Sequence, residues 1–244
     1  MLWVRLATVL VLPAIATPAG LPVGTVIPVR LRSVLNAKKD AAGQKIDGDV
    51  MQEVPLSSGG KIRQGSHITG QVVSVTKPGS SGSSIVLRFD AIQDKERTIP
   101  LTAALLSVAS FTSVSDAQLP IDAASDMEPD SAWVTRQVGG DVVNRGRGKV
   151  GSRYGVVGRW LRGSSVLVKL TPNPDAGCPS GPGNEREQAV WIFSSAACGT
   201  YGLGNLKIAS SGSSPPFGNI VLTSDQNVEI RGGSGWLLII AAAQ

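Results

Sequence analysis

Few side chains in this sequence could do chemistry: 2 cysteines and 1 histidine among 244 residues. Cys178 and Cys198 enclose a Pro- and Gly-rich loop and the segment Gln188–Phe193. In an oxidising compartment such a pair reads as a disulfide. Closing a loop of about 20 residues stabilises by roughly 3 kcal/mol in the chain-entropy model. A catalytic thiol at Cys198 would need a base, and the sole histidine, His67, is remote in sequence. Zinc takes about four nitrogen or sulfur ligands, more than two Cys and one His supply. No cofactor or metal is implied.

Ser66-His67, with Asp47 or Asp49 as orienter, has the residue types of a hydrolase. Neighbours in a strand point to opposite faces, so Ser66 and His67 cannot act as nucleophile and base there. Asp47 and Asp49 are two apart and share a strand face, as paired carboxylates might in a glycosidase cleft. No sugar-stacking platform accompanies them, since aromatics are 5% of the chain. His67 therefore reads as exposed and Ser66 as a turn residue, with no catalytic site recognised. The enzymatic alternative is an exported hydrolase acting on envelope polymers through Asp47 and Asp49.

Two charged stretches complete the candidates. The acids Asp116, Asp122, Asp126, Glu128 and Asp130 lack the Gly and the spacing of a calcium loop, so they read as a solvated connector. The basic stretch Val138–Arg162 contains Gly146-Arg147-Gly148-Lys149, but Val150 stands where a phosphate-binding loop has Ser or Thr. Arg145, Arg147, Lys149 and Arg153 are its candidate contacts for anionic envelope polymers or lipid headgroups, within a solvated basic loop. The net charge of +5 is too small a bias to imply nucleic acid.

The elements that must position these residues are short strands. The 29 Gly and 15 Pro favour turns over long helices, and 42% hydrophobic residues exclude a disordered chain. Residues 1–19 read as a secretory signal: Arg5, an apolar core Leu6–Leu12, then the cleavage-type step Ala14-Ile15-Ala16. No later run reaches the roughly 20 apolar residues of a membrane-spanning helix. Apolar β patterns predict strands at Thr25–Leu31, Lys45–Val54, Ile68–Val75 and Ser84–Ile92, the last with Ile85, Leu87, Phe89 and Ala91 on one face. Pro28 withholds an N–H and suggests an edge or a bulge. Further strands are expected at Thr98–Leu101, Ser165–Leu170, Gln188–Phe193, Leu206–Ala209, Ile220–Leu222, Val228–Ile230 and Trp236–Ile240.

Gly24-Thr25-Val26-Ile27, the step Gly65-Ser66-His67-Ile68-Thr69-Gly70 and the closing run Ile85–Ile92 occur together. This pattern resembles the periplasmic β-barrel module of the outer-membrane core subunit of conjugation and type IV secretion channels, over residues 21–108. It also resembles uncharacterised exported bacterial β proteins. Arg63-Gln64 stands where that module has Pro-Lys, and the channel subunit's membrane helix, Pro-rich arm and pore helices have no counterpart. The resemblance implies a β fold and an envelope location, and no channel activity.

Together these readings predict a mainly β protein of two small barrel or sandwich modules, 20–109 and 138–244 (Gly-rich), joined by a Ser/Ala/Asp-rich linker at 110–137. The first module is expected to fold alone. The expected role is structural, assembly or binding in the periplasm or at the outer membrane. The expected partners are envelope proteins or anionic envelope polymers, not nucleic acid.

Overall fold

The computed structural model describes residues 21–121, 133–145, 148–153, 155–161, 165–173, 175, 186–210 and 218–241. From Leu21 to Ala109 the β-branched runs form β1 (Val26–Leu31), β2 (Leu35–Asn36), β3 (Lys45–Val50), β4 (Val54–Pro55), β5 (Lys61–Ile62), β6 (His67–Gly79), β7 (Gly82–Asp94), β8 (Arg97–Pro100) and β9 (Ala103–Ala109). A short helix α1 (Phe111–Asp116) follows, capped by Ser110, whose side chain accepts from Ser113 N–H. Next come β10 (Trp133–Arg136), β11 (Val142–Arg145), β12 (Val150–Ser152), β13 (Gly155–Leu161), β14 (Ser165–Val168) and β15 (Gln188–Ala189). The chain ends in β16 (Gly199–Tyr201), β17 (Leu206–Ser210), β18 (Ile220–Ser224), β19 (Glu229–Ile230) and β20 (Gly235–Ile240). The expectation of a mainly β protein holds.

Strand pairing does not follow the expected split at 109 and 138. One 10-stranded sheet runs β16-β9-β20-β1-β3-β6-β7-β18-β17, with β8 added to β7, and so combines both ends of the chain. Strands β10 to β15 form a separate 6-stranded sheet in sequential order. The stretch expected to be a linker contributes α1 and β10 at its two ends. The edges of the large sheet approach each other, because β16 and β17 are consecutive and Thr200 Oγ1 donates to Leu206 O at 3.1 Å. No ladder joins those edges, so the sheet is curled and open, not a closed barrel.

Two apolar clusters lie on either side of the central strands. In β20, Trp236, Leu238 and Ile240 enter the cluster shared with Ile27, Val29, Leu31, Leu87 and Phe89. Leu237 enters the other, with Val26, Val166, Ile192 and Phe193. A strand buried on both faces needs a continuous apolar run, and Trp236-Leu237-Leu238-Ile239-Ile240 supplies one. Trp236 meets Phe89 edge-on, with ring centroids 6.0 Å apart, and its Nε1–H donates to Ser234 Oγ.

Three expectations change in detail. In β7 the core face switches from Phe89 to Ile92, because the β6–β7 register shifts between Thr69 and Gly70, which pair with Ala91 and Phe89. That bulge leaves Ala91 half-buried and Ile92 fully buried. Pro28 lies in an interior strand. Its carbonyl accepts from Met51 N–H, one step beyond the Val29–Leu31 pairing with β3, so the missing Pro28 N–H falls at the end of that ladder. Gln188–Phe193 is a strand only at Gln188–Ala189 and then turns through Trp191, at φ 50°. Gly70 is dictated by close approach, since a Cβ there would lie 2.2 Å from Arg88 O.

If β20 holds the sheet together, Trp236→Ala should cost about 3–5 kcal/mol, read by denaturant unfolding of the purified protein. A chain ending at Ser110 lacks β16 to β20 and should show no cooperative melt by circular dichroism; a sharp transition would restore an independent first module.

Candidate functional site

The only histidine does meet both acids singled out in the sequence. Asp47 and Asp49 project from one face of β3, and His67 lies opposite Asp49 on β6. Its ring nitrogens are 3.9 Å from Asp47 Oδ2 and 3.8 Å from Asp49 Oδ1. The cluster is a half-buried strand face, so His67 is less open than expected, and its acids are already engaged. Arg32 Nε donates to Asp49 Oδ2 at 2.7 Å, and Ser33 Oγ donates to Asp47 Oδ1 at 2.7 Å. Ser66 points elsewhere, as strand alternation requires, and its hydroxyl donates to buried Asp94. Burial alone would raise the Asp94 pKa, but hydrogen bonds from Arg97 and Ser66 and the charges of Arg63 and Arg97 hold it below the usual carboxylate range.

The concave polar surface lies at the junction of the two sheets, which buried glutamines fasten together. Gln52 is 1% exposed. Its Oε1 accepts from Val166 N–H at 3.1 Å and Trp191 N–H at 2.7 Å, and its Nε2 donates to Val166 O at 2.9 Å. Gln188 Oε1 accepts from Val26 N–H at 3.1 Å, and Gln137 Nε2 donates to Trp191 O at 2.8 Å. Gln52 and Gln188 thereby satisfy backbone groups that a gap between sheets would otherwise leave unpaired, whereas Gln137 joins the ends of β10 and β15 within the smaller layer.

Beside this clamp, the tight turn from Gln137 to Asp141 packs on Ser194–Ala197. Gln137 N–H donates to Asp141 O at 2.7 Å, and Ser194 N–H donates to Val138 O at 2.7 Å. Gly139, at φ 96°, comes so close that a Cβ would lie 2.3 Å from Ser194 Oγ. The turn delivers Asp141, 4% exposed, to the wall of a pocket of about 580 Å³. Ser152 and Arg153 from the end of β12, Asn173, Asp175 and Tyr201 of β16 also line it. Tyr201 OH accepts from Cys198 N–H at 3.1 Å, which ties the ring to the cysteine segment. Burial pushes the Asp141 pKa up, and hydrogen bonding from Ser195, whose N–H donates to Oδ2, opposes this only in part.

The residues proposed for anion contact are not all placed alike. Arg147 lies outside the described residues, and Arg145 is placed in β11 by its backbone. Lys149 and Arg153 are exposed and flank opposite ends of β12, about 13 Å apart for four steps of extended strand. Arg153 shares its pocket with two carboxylates. Cys198 is buried, whereas Cys178 lies outside the described residues, so the bridge between them stands as a proposal.

No known protein family, curated protein or solved structure matches the chain.

The arginines of Val138–Arg162 dominate the sequence signal there and hide the pocket. Its available signal was Gly139-Gly140 directly before Asp141, a turn that fixes one acid in place. Nothing in sequence spacing announces Asn173, Asp175 and Tyr201 as its neighbours.

Two outcomes follow. The Asp141 pKa is raised above its unfolded value near 3.9, so between those values the folded chain binds more protons than the unfolded one. Stability from this group is therefore lost as pH rises through that window. Asp141→Asn should flatten that decline; melting temperatures from pH 4 to neutral would show it, and parallel pH profiles for both proteins would refute the burial account. For the cysteines, intact mass before and after reduction should differ by two hydrogens. Free thiols in freshly isolated protein would exclude the Cys178–Cys198 bridge, whose removal should cost about 2–4 kcal/mol if present.

Proposed function

We propose that the protein is an exported component of a bacterial cell envelope with a structural, assembly or binding role. The observation that carries this reading is that the candidate hydrolase residues, Asp47, Asp49 and His67, lie apart from the polar pocket. Asp47, Asp49 and His67 occupy one strand face and are committed to Arg32, Ser33 and one another. The pocket at the junction of the sheets is built from polar side chains on rigid strands and tight turns, the arrangement expected of a site that holds a ligand. A hydrolase using Asp47 and Asp49 gains less support, since a substrate there would remain in bulk water and meet carboxylates already bonded.

Export rests on the order of charge, apolar core and small-residue step in residues 1–19, which lie outside the described residues. The resemblance to the secretion-channel barrel module supports the same compartment. Among the described residues no helix is long and apolar enough to cross a membrane. Partners are then envelope proteins or anionic envelope polymers, met through loops and strand edges, with Lys149 and Arg153 among the exposed cations.

The test joins location to chemistry. Protein recovered from the cell envelope should begin between Thr17 and Leu21 on N-terminal sequencing, and an intact Met1 on that material would exclude processing. His67→Ala, at a half-buried position outside both apolar clusters, should change stability by no more than about 1 kcal/mol. Turnover of envelope polymers by the wild type that disappears in His67→Ala or Asp47→Asn would replace the binding role with the hydrolase.

A further inference from the structure

The cations of the large sheet are not all neutralised. Arg32, Lys61, Arg63, Arg88, Arg97 and Lys207 each reach a carboxylate. Lys38, Lys39, Lys45 and Lys77 form no ion pair among the described residues, and these four gather around one loop. It runs from Asn36 to Gln44, between β2 and β3, and residues 36–45 and 67–79 are described without a break.

The loop is held at every side. Asn36 Oδ1 accepts from Lys38 N–H at 2.9 Å, and Asn36 O accepts from the N–H groups of Lys39 and Asp40. Ala37 N–H donates to Val228 O, and Gly43 N–H, at φ 86°, donates to Val72 O of β6. Lys77 closes over it from β6. Its Nζ donates to Asp40 O at 2.6 Å and to Lys38 O at 3.2 Å, which lays a third ammonium against the loop that carries Lys38 and Lys39. Lys45 follows at the start of β3, opposite Gln71 of β6. The nearby acids do not balance these charges. Asp40 is 5% exposed, and its Oδ2 accepts from Asn36 N–H at 2.7 Å. Asp47, two residues along the same face of β3, is bonded to Ser33, and Glu229 to Asn227. Repulsion among the four ammonium groups is relieved by anions from outside the chain. Ala41, Ala42 and Gly43 are exposed and small, so nothing bulky stands in front of the lysines.

We infer that this loop, with Lys45 and Lys77, seats the protein on an anionic lipid surface through its headgroup phosphates. This rests on the envelope role proposed above and gives it a partner and a contact surface. Lysine offers a hydrated point charge without a planar fork, so the surface selects density of negative charge over the shape of one ligand. The lysines stand on an exposed loop, which a plane of headgroups meets face-on; a single polymer strand is better held between the walls of a cleft. Each lysine near such a surface contributes about fivefold to affinity. Salt screens the attraction, over about 10 Å at 0.1 M.

The experiment is cosedimentation of the purified full chain, as the cell processes it, with vesicles. Their composition is phosphatidylcholine alone, or with about 30% phosphatidylglycerol, at about 0.1 M and about 1 M salt. Anionic vesicles should bind at least about tenfold more tightly than neutral ones at the lower salt, and the difference should vanish at the higher. Lys38→Gln/Lys39→Gln should lose about 25-fold on anionic vesicles. Lys61→Gln/Lys95→Asn removes the same charge at the other end of the β6–β7 hairpin, and should lose less than about twofold. All four side chains are exposed, so both double variants should melt with the wild type. Equal binding to neutral vesicles, or equal losses in the two double variants, would overturn the proposal. So would retention on purified anionic cell-wall polymer that needs Lys38 and Lys39 in a protein that binds no vesicle, because the surface would then serve a polymer. Cell fractionation separates this inference from the broader reading. An exported protein that binds no anionic vesicle refutes the lipid surface and leaves the envelope role standing. A protein confined to the cell interior refutes the envelope role whatever the vesicles show.

Discussion

Everything else in the structure depends on the burial of β20 on both of its faces. It pairs with β1 on one side and β9 on the other, so the strand nearest the end of the described chain lies in the middle of the sheet. Trp236, Leu238 and Ile240 fill the concave side, and Leu237 fills the side toward the six-stranded sheet. Burying each such side chain contributes about 1.5–3 kcal/mol relative to exposure. Its neighbour β1 serves both clusters in the same way, through Ile27, Val29 and Leu31 on one side and Val26 on the other, and the two layers meet across this pair.

That arrangement explains why the second layer needs polar fasteners. Apolar contact alone does not fix how two sheets slide over one another, and the interface carries backbone groups that must be paired. Gln52 and Gln188 pair them and so set the position of β14 and the Val190–Phe193 turn against the large sheet, while Gln137 ties that turn to the end of β10 within the smaller layer. Each group left buried without a partner would cost about 1–3 kcal/mol. The pocket inherits its geometry from this fastening. One wall comes from the end of β12 in the six-stranded sheet, another from Tyr201 of β16 in the large sheet, and Asp141 is set between them by the turn on Ser194–Ala197. A site at a layer junction holds its shape only as well as the junction does.

The local structure was largely legible in the sequence. Val26–Leu31, the alternation in Ile85–Phe89 and the apolar run from Trp236 to Ile240 all became strands, because β-branched and aromatic periodicity is a short-range signal. Partner choice was not legible. Nothing in Val26 to Leu31 tells that it pairs with residues over two hundred positions later, and so the chain was divided where composition changed, at the Ser- and Asp-rich stretch. Side-chain direction behaved similarly. Two-residue alternation separated Ser66 from His67 correctly, yet missed the bulge that moves the core position from Ala91 to Ile92. The half-buried cluster of Asp47, Asp49 and His67 could be anticipated from strand faces. The pocket could not, because its residues come from four separate segments brought together only by tertiary packing.

The claim that both ends of the chain form one cooperative sheet is tested most directly by native-state hydrogen exchange. The amides of β1, β6, β18 and β20 should exchange through a single global opening, with equal free energies that fall together as denaturant is added. Protection in β1, β3, β6 and β7 that persists while β18 and β20 exchange freely would contradict the account and return the chain to two independent modules.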